Sequence, residues 1–135
     1  MRRVLLGFKA RLDDELRGQH VTSAQLRFLH EVQERPGASN AQLARACYMT
    51  PQSAQAMLVR AVEQGWVVRG KSAENGKLVT VRLTRVGTRL LAYADGVLAE
   101  LEAEVWHGVS LAELRGMNGT LRHGLGNLEL QRTEQ

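Results

Sequence analysis

The sequence predicts a mainly α-helical fold carrying one small antiparallel β-hairpin, and three observations predict it. Between Leu43 and Gln64, an apolar helix end runs into a strong helix start and a second apolar-periodic stretch. Two β-rich runs then flank Asn75-Gly76, the strongest short hairpin-turn signal, because both residues accept positive φ. Leucine-rich helical patterns occupy the rest of the chain on either side. Helix, turn, helix and hairpin in this order build a winged helix-turn-helix, here with flanking N- and C-terminal helices.

Taken in order, Arg3 to Arg17 is expected to form an amphipathic helix with Leu5, Phe8, Leu12 and Leu16 on one side, broken by Gly18-Gln19-His20-Val21. A second helix starts near Thr22 or Ser23 and carries Leu26, Leu29 and Val32 as far as Pro36-Gly37. Ser39 or Asn40 caps the third, which ends around Leu43-Ala44-Arg45-Ala46-Cys47. Thr50 can then accept from the orphan amides of a fourth helix, and Pro51 suits its first turn because it has no N–H to lose. From Gln52 to Gln64, Ala54, Met57, Leu58, Ala61 and Val62 recur at three- and four-residue steps, which puts one buried stripe on that helix.

Gly65 ends the fourth helix, and Trp66-Val67-Val68-Arg69 reads as the outgoing strand of the hairpin. In the return strand Leu78, Thr80 and Arg82 alternate with Val79, Val81 and Leu83, so one face packs inward and the other stays polar. Thr84 caps a long helix striped by Leu90, Leu91, Ala94, Val97, Leu98, Leu101 and Val105. The last helix starts at Ser110, whose partner Glu113 makes a capping box, and runs through Leu111, Leu114, Leu121, Leu125 and Leu128. That spacing is close to a heptad seam, while Gly116, Gly119, Gly124 and Gly126 each weaken the helix by about 1 kcal/mol relative to Ala where exposed.

Length and charge narrow the function classes. A chain of 135 residues with 44% hydrophobic residues is expected to form a single domain, 1-135. No apolar run reaches the roughly 18 residues of a membrane-spanning helix, and Val4-Leu5-Leu6-Gly7-Phe8 is cut short by Lys9 and Arg11, unlike a secretion signal. A cytoplasmic location is expected, and the single cysteine, Cys47, fits a reducing compartment. His20, His30, His107 and His123 have no metal-ligand spacing with one another or with Cys47. With no phosphate loop, catalytic carboxylate pair or nucleophile–base arrangement, neither an enzyme nor a cofactor is expected.

The formal net charge is +4 and the sequence pI about 9.8. More informative is its distribution. Arg60 to Arg89 holds seven basic residues against two acidic ones, whereas Leu90 to Asn118 holds one basic and five acidic. The positive charge is thus concentrated on the helix–hairpin unit, beside a helix face made of Gln52, Ser53, Gln55, Ala56 and Arg60. Small and amide-bearing residues can enter a DNA major groove, where Gln pairs with N6 and N7 of adenine, while lysines and arginines neutralise phosphates. Gln52, Ser53 and Gln55 are the candidates for base contact; Thr50, Arg60, Arg69, Lys71, Lys77 and Arg82 are those for the DNA backbone and the wing.

These features resemble the MarR family of bacterial transcription regulators. The resemblance is carried by Leu43-Ala44, Thr50-Pro51-Gln52-Ser53, Leu58, Gly65, Val67, Arg69 and Leu83-Thr84-x-x-Gly87. Asn75-Gly76-Lys77 falls where the family often has an Asp-x-Arg wing signature, with both signature residues replaced. Lys77 keeps the charge but loses the planar fork suited to bidentate contacts, so Lys71 and Lys77 are expected mainly to touch phosphates.

The resemblance implies a dimer, most often a repressor, binding a pseudopalindromic duplex site, with residues 23-85 as the DNA-binding region and 1-20 and 86-131 as dimerisation helices. It also implies a possible small aromatic effector, for which Phe8, Leu12, His20, Phe28, His30 and Trp106 are candidates by placement, although core packing explains each as well. Some relatives sense oxidants through a thiol in their first helix. This sequence has no cysteine there, and Cys47 stands where the family usually has an apolar core residue. Two readings from other classes remain at this stage: a winged-helix module that binds protein instead of DNA, and an oxidant sensor acting through Cys47.

Overall fold

The computed structural model describes residues 1–74 and 76–133, so the expected turn residue Asn75 lies outside the described residues. They divide into two units, Met1–Glu102 and Ala103–Gln135, each taken by itself below.

In the first unit α1 (Arg2–Leu16) gives way to a single 3-10 turn, Arg17–Gln19, and His20 leaves it with φ +55°. Only the C-terminal half of α1 is buried: Leu12 and Leu16 enter the core, while Leu5 stays 64% exposed. α2 (Ser23–Glu34) begins in a capping box, with Thr22 accepting from the Gln25 amide and the Gln25 side chain accepting from the Thr22 amide. Its Leu26, Phe28, Leu29 and Val32 lie at the centre of the core.

A two-residue strand, β1 (Ala38–Ser39), leads into α3 (Asn40–Ala46), which Ser39 and Gln42 close with a second capping box. α4 (Pro51–Glu63) follows, capped by Thr50 as expected and carrying its buried stripe through Ala54, Leu58 and Ala61. Asn40 links the two helices by donating from Nδ2 to the Pro51 carbonyl at 3.4 Å.

β2 (Val67–Lys71) and β3 (Val79–Leu83) pair antiparallel with Val67 opposite Leu83 and Lys71 opposite Val79. The sheet has three strands, ordered β1-β3-β2, where the sequence suggested a hairpin alone. Ala38 pairs with Val81 and Ser39 with Thr80. This extra strand explains a departure from the expected alternation: Thr80 and Val81 are both buried, because β1 lies along the outer edge of β3.

α5 (Arg85–Val105) is joined to the sheet by a tight corner. The Thr84 hydroxyl donates to the Gly65 carbonyl at 2.5 Å and accepts from the Gly87 amide at 3.0 Å, and the Thr84 amide donates to the Trp66 carbonyl. A Cβ at Gly87 would lie 2.1 Å from that same carbonyl oxygen, so the glycine is what lets α5 come this close. Leu90, Leu91, Ala94 and Leu101 of α5 are buried.

In the second unit, Gly108 turns the chain at φ +82°, and Ser110 with Glu113 forms the expected capping box at the head of α6 (Leu111–Thr133). The helix runs unbroken through its four glycines and buries none of its residues. Leu121, Leu125 and Leu128 are each between 45% and 59% exposed.

Candidate nucleic-acid interface

α4 presents its polar side outward as its sequence requires. With Ala54, Leu58 and Ala61 fixed in the core, Gln52, Ser53, Gln55, Ala56 and Arg60 are all exposed. Gln52, Gln55, Ala56 and Val59 recur at helical spacing along this outer side. Val59, 39% exposed, was missed from the sequence, where a lone valine off the buried stripe carries little signal. In this stripe it could meet a thymine methyl.

The head of the helix is more committed. Thr50 Oγ1 accepts from the Ser53 amide at 3.1 Å and donates to Ser53 Oγ at 2.9 Å, which uses its only hydroxyl proton. Ser53 keeps its own proton to donate. Thr50 therefore serves the cap first, and within this arrangement only its backbone amide could reach a phosphate.

The wing candidates divide between two faces of the hairpin. The register sets Arg69 opposite Val81 and Lys71 opposite Val79 on one face, and Val68 opposite Arg82 on the other. Arg82 also leans over the neighbouring turn: its Nη2 lies 3.0 Å from where a Cβ of Gly37 would stand. Lys77 is exposed beyond the strands. Arg85 and Arg89, on the first turns of α5, are exposed cations that the sequence reading counted without selecting.

The effector-pocket candidates lie in dissimilar settings. Phe28 is fully buried and Leu12 6% exposed, both spent on the core, whereas His20 is exposed. Phe8 is half-buried on α1, and His30 reaches Asp95 of α5 with Nε2–Oδ1 at 3.3 Å. Trp106 belongs to the second unit.

Cys47 closes α3 as its C-cap residue and is 6% exposed. Burial, with the nearby Glu31 carboxylate, pushes its thiol up, and Arg27 and Arg35 oppose this only in part. A buried thiol held in its neutral form is a poor nucleophile, the reverse of what peroxide sensing needs.

Residues 21–78 match the model of the MarR family, a span that covers β1, α2 to α4 and β2. Over these residues the chain is similar to the MarR family. Among curated relatives, the HTH-type transcriptional repressor Rv2887 of Mycobacterium tuberculosis is 32% identical over 77 residues, 57% of this chain and 55% of the relative. The chain thus spans about half the length of the curated relatives it matches.

Likeness of fold extends further than likeness of sequence. A MarR family transcriptional regulator from Silicibacter pomeroyi superposes with a TM-score of 0.85 at 22% identity, covering 93% of this chain and 84% of that one. A mutant MarR from E. coli, solved in complex with operator DNA, gives 0.82 at 21% identity over 92% of this chain and 89% of the other. Both similarities fall on the MarR winged-helix fold.

Proposed function

We propose that this protein is a transcriptional regulator that binds duplex DNA sequence-specifically, by inserting α4 into the major groove while the wing holds the flanking backbone. The observation that carries the reading is the outer face of α4: two glutamines, a serine and small residues, exposed on a helix whose other face is packed into the core. The relatives named as repressors and the structural neighbour held on operator DNA support the same reading. Gln52, Ser53 and Gln55 are proposed to read bases. Arg60, Arg69, Lys71, Lys77 and Arg82 are proposed for the backbone, with Arg69 and Lys71 approaching from one face of the hairpin and Arg82 from the other.

A homodimer is part of the proposal, with residues 23-85 as the reading head and the helices of 1-20 and 86-131 as its dimerisation elements. Each unit by itself leaves apolar side chains uncovered: Leu5 and Leu6 of α1, and Leu121, Leu125 and Leu128 of α6. One recognition helix reads only a few base pairs, so two placed one DNA turn apart on a pseudopalindrome multiply both affinity and specificity. Repression of nearby genes, release by a small aromatic effector and action in the cytoplasm complete the proposal; among the described residues no helix is long and apolar enough to cross a membrane.

The test is selection from a randomised duplex pool at two salt concentrations, followed by sequencing of the retained DNA. Recovery of a two-fold symmetric motif with half-sites about one turn apart is the expected result. Retention without any motif, lost at the higher salt, would mean that only the cationic surface binds.

A further inference from the structure

The turn between α3 and α4 holds a residue that its backbone conformation disfavours. α3 ends in a Schellman motif: the Met49 amide donates to the Ala44 carbonyl at 3.0 Å and the Tyr48 amide to the Arg45 carbonyl at 3.2 Å. The residue after the cap must then be left-handed, and here it is Tyr48 at φ +55°. α4 ends in the same motif, with Trp66 donating to Ala61 and Gly65 to Val62, and there the left-handed position is filled by Gly65 at φ +76°. Glycine or asparagine takes this conformation with little penalty, whereas a bulky side chain is strained in it.

The tyrosine is not there to fill the core, since it is 48% exposed. The Arg27 guanidinium of α2 stands over its ring at 5.6 Å from the centroid, within range of a cation–π contact. Tyr48 lies two residues before the Thr50 cap, at the end of α4 that a helix-turn-helix directs into the groove. Ring and guanidinium therefore sit together, joined to the entry of α4 through the short turn and to α2 through Arg27.

We infer that Tyr48 and Arg27 form a second backbone clamp for DNA, the phenol donating to a phosphate oxygen that borders the major groove and the guanidinium adding charge beside it. The clamp rests on the DNA-binding reading above and gives α4 a phosphate contact ahead of its first turn, complementary to the wing contacts behind it.

The experiment uses the full chain and the duplex recovered by selection, with a scrambled duplex of equal length, titrated by fluorescence anisotropy over a series of salt concentrations. Arg27→Gln is expected to lower the slope of log affinity against log salt by about one, on both duplexes. Tyr48→Phe is expected to weaken both by several-fold. Tyr48→Asn, better suited to the left-handed turn, is expected to keep or raise the unfolding midpoint while losing about tenfold in affinity, an opposition of stability and binding that a structural role would not give. Wild-type affinity in Tyr48→Phe and Tyr48→Asn together with an unchanged salt slope in Arg27→Gln overturns the clamp while leaving the α4 reading intact. Absence of DNA binding by the wild-type chain overturns both.

Discussion

Gly87 shows how one residue fixes the join between the sheet and the helix that follows it. Its missing side chain lets the first turn of α5 lie against the Trp66 carbonyl, and Thr84 ties the same corner to Gly65 and Trp66 by its hydroxyl and amide. Gly87→Ala places a methyl 2.1 Å from a backbone oxygen that cannot rotate away, so it is expected to destabilise by at least the roughly 1 to 3 kcal/mol of ordinary overpacking, read as a fall in the denaturant midpoint. Cys47 gives a second expectation at this scale. Its raised thiol pKa means that the stability it contributes is present below the ordinary thiol range and is lost as pH rises through the raised value. Native protein should react with a thiol reagent far more slowly than unfolded protein, and the Cys47→Ala variant should lose part of the alkaline instability. Thr84-x-x-Gly87 was legible in the sequence as a motif, but its reason, a close approach to a residue some twenty positions earlier, needed the folded corner. Tyr48 was not legible at all, because its left-handed backbone runs against its residue type.

At the scale of elements, capping chemistry made the helix starts readable. Thr22, Ser39, Thr50, Thr84 and Ser110 each accept from a backbone amide three residues on, as short polar side chains at helix heads do. Thr50→Ala should cost about 1 kcal/mol of stability, measured by chemical denaturation, because it orphans the Ser53 amide at the head of α4. At α6 the Ser110 amide and hydroxyl hold the Glu113 carboxyl below the usual carboxylate range. Its stabilisation of the helix start is therefore complete above that range and is lost as pH falls through the lowered value. Far-UV circular dichroism should show a loss of helix on acidification that is smaller in Glu113→Ala. What the sequence concealed was β1, since two residues carry no periodicity; its presence was visible only through the burial it imposes on Thr80. The wing was legible as strands, but the division of Arg69 and Lys71 from Arg82 follows from register, which a turn residue alone does not set.

For the molecule as a whole, charge and apolar exposure separate along the chain. The cationic stretch from Arg60 to Arg89 belongs, all but Arg89, to the proposed reading head, and the acidic stretch from Leu90 to Asn118 to the helices beyond it. On the proposed dimer, sedimentation should give about twice the 15.0 kDa of one chain, and Leu121→Glu with Leu125→Glu should shift it towards the monomer and weaken DNA binding without altering an isolated half-site preference. The division of labour between α4 and the wing is the central claim, and one comparison tests it most directly: the affinities of Gln55→Ala and Lys77→Ala for the selected duplex and for a scrambled one. Gln55→Ala should cost about 1 to 3 kcal/mol on the selected duplex alone and relax one position of the recovered motif, while Lys77→Ala should weaken both duplexes alike. Equal losses on both duplexes for both variants would contradict the account.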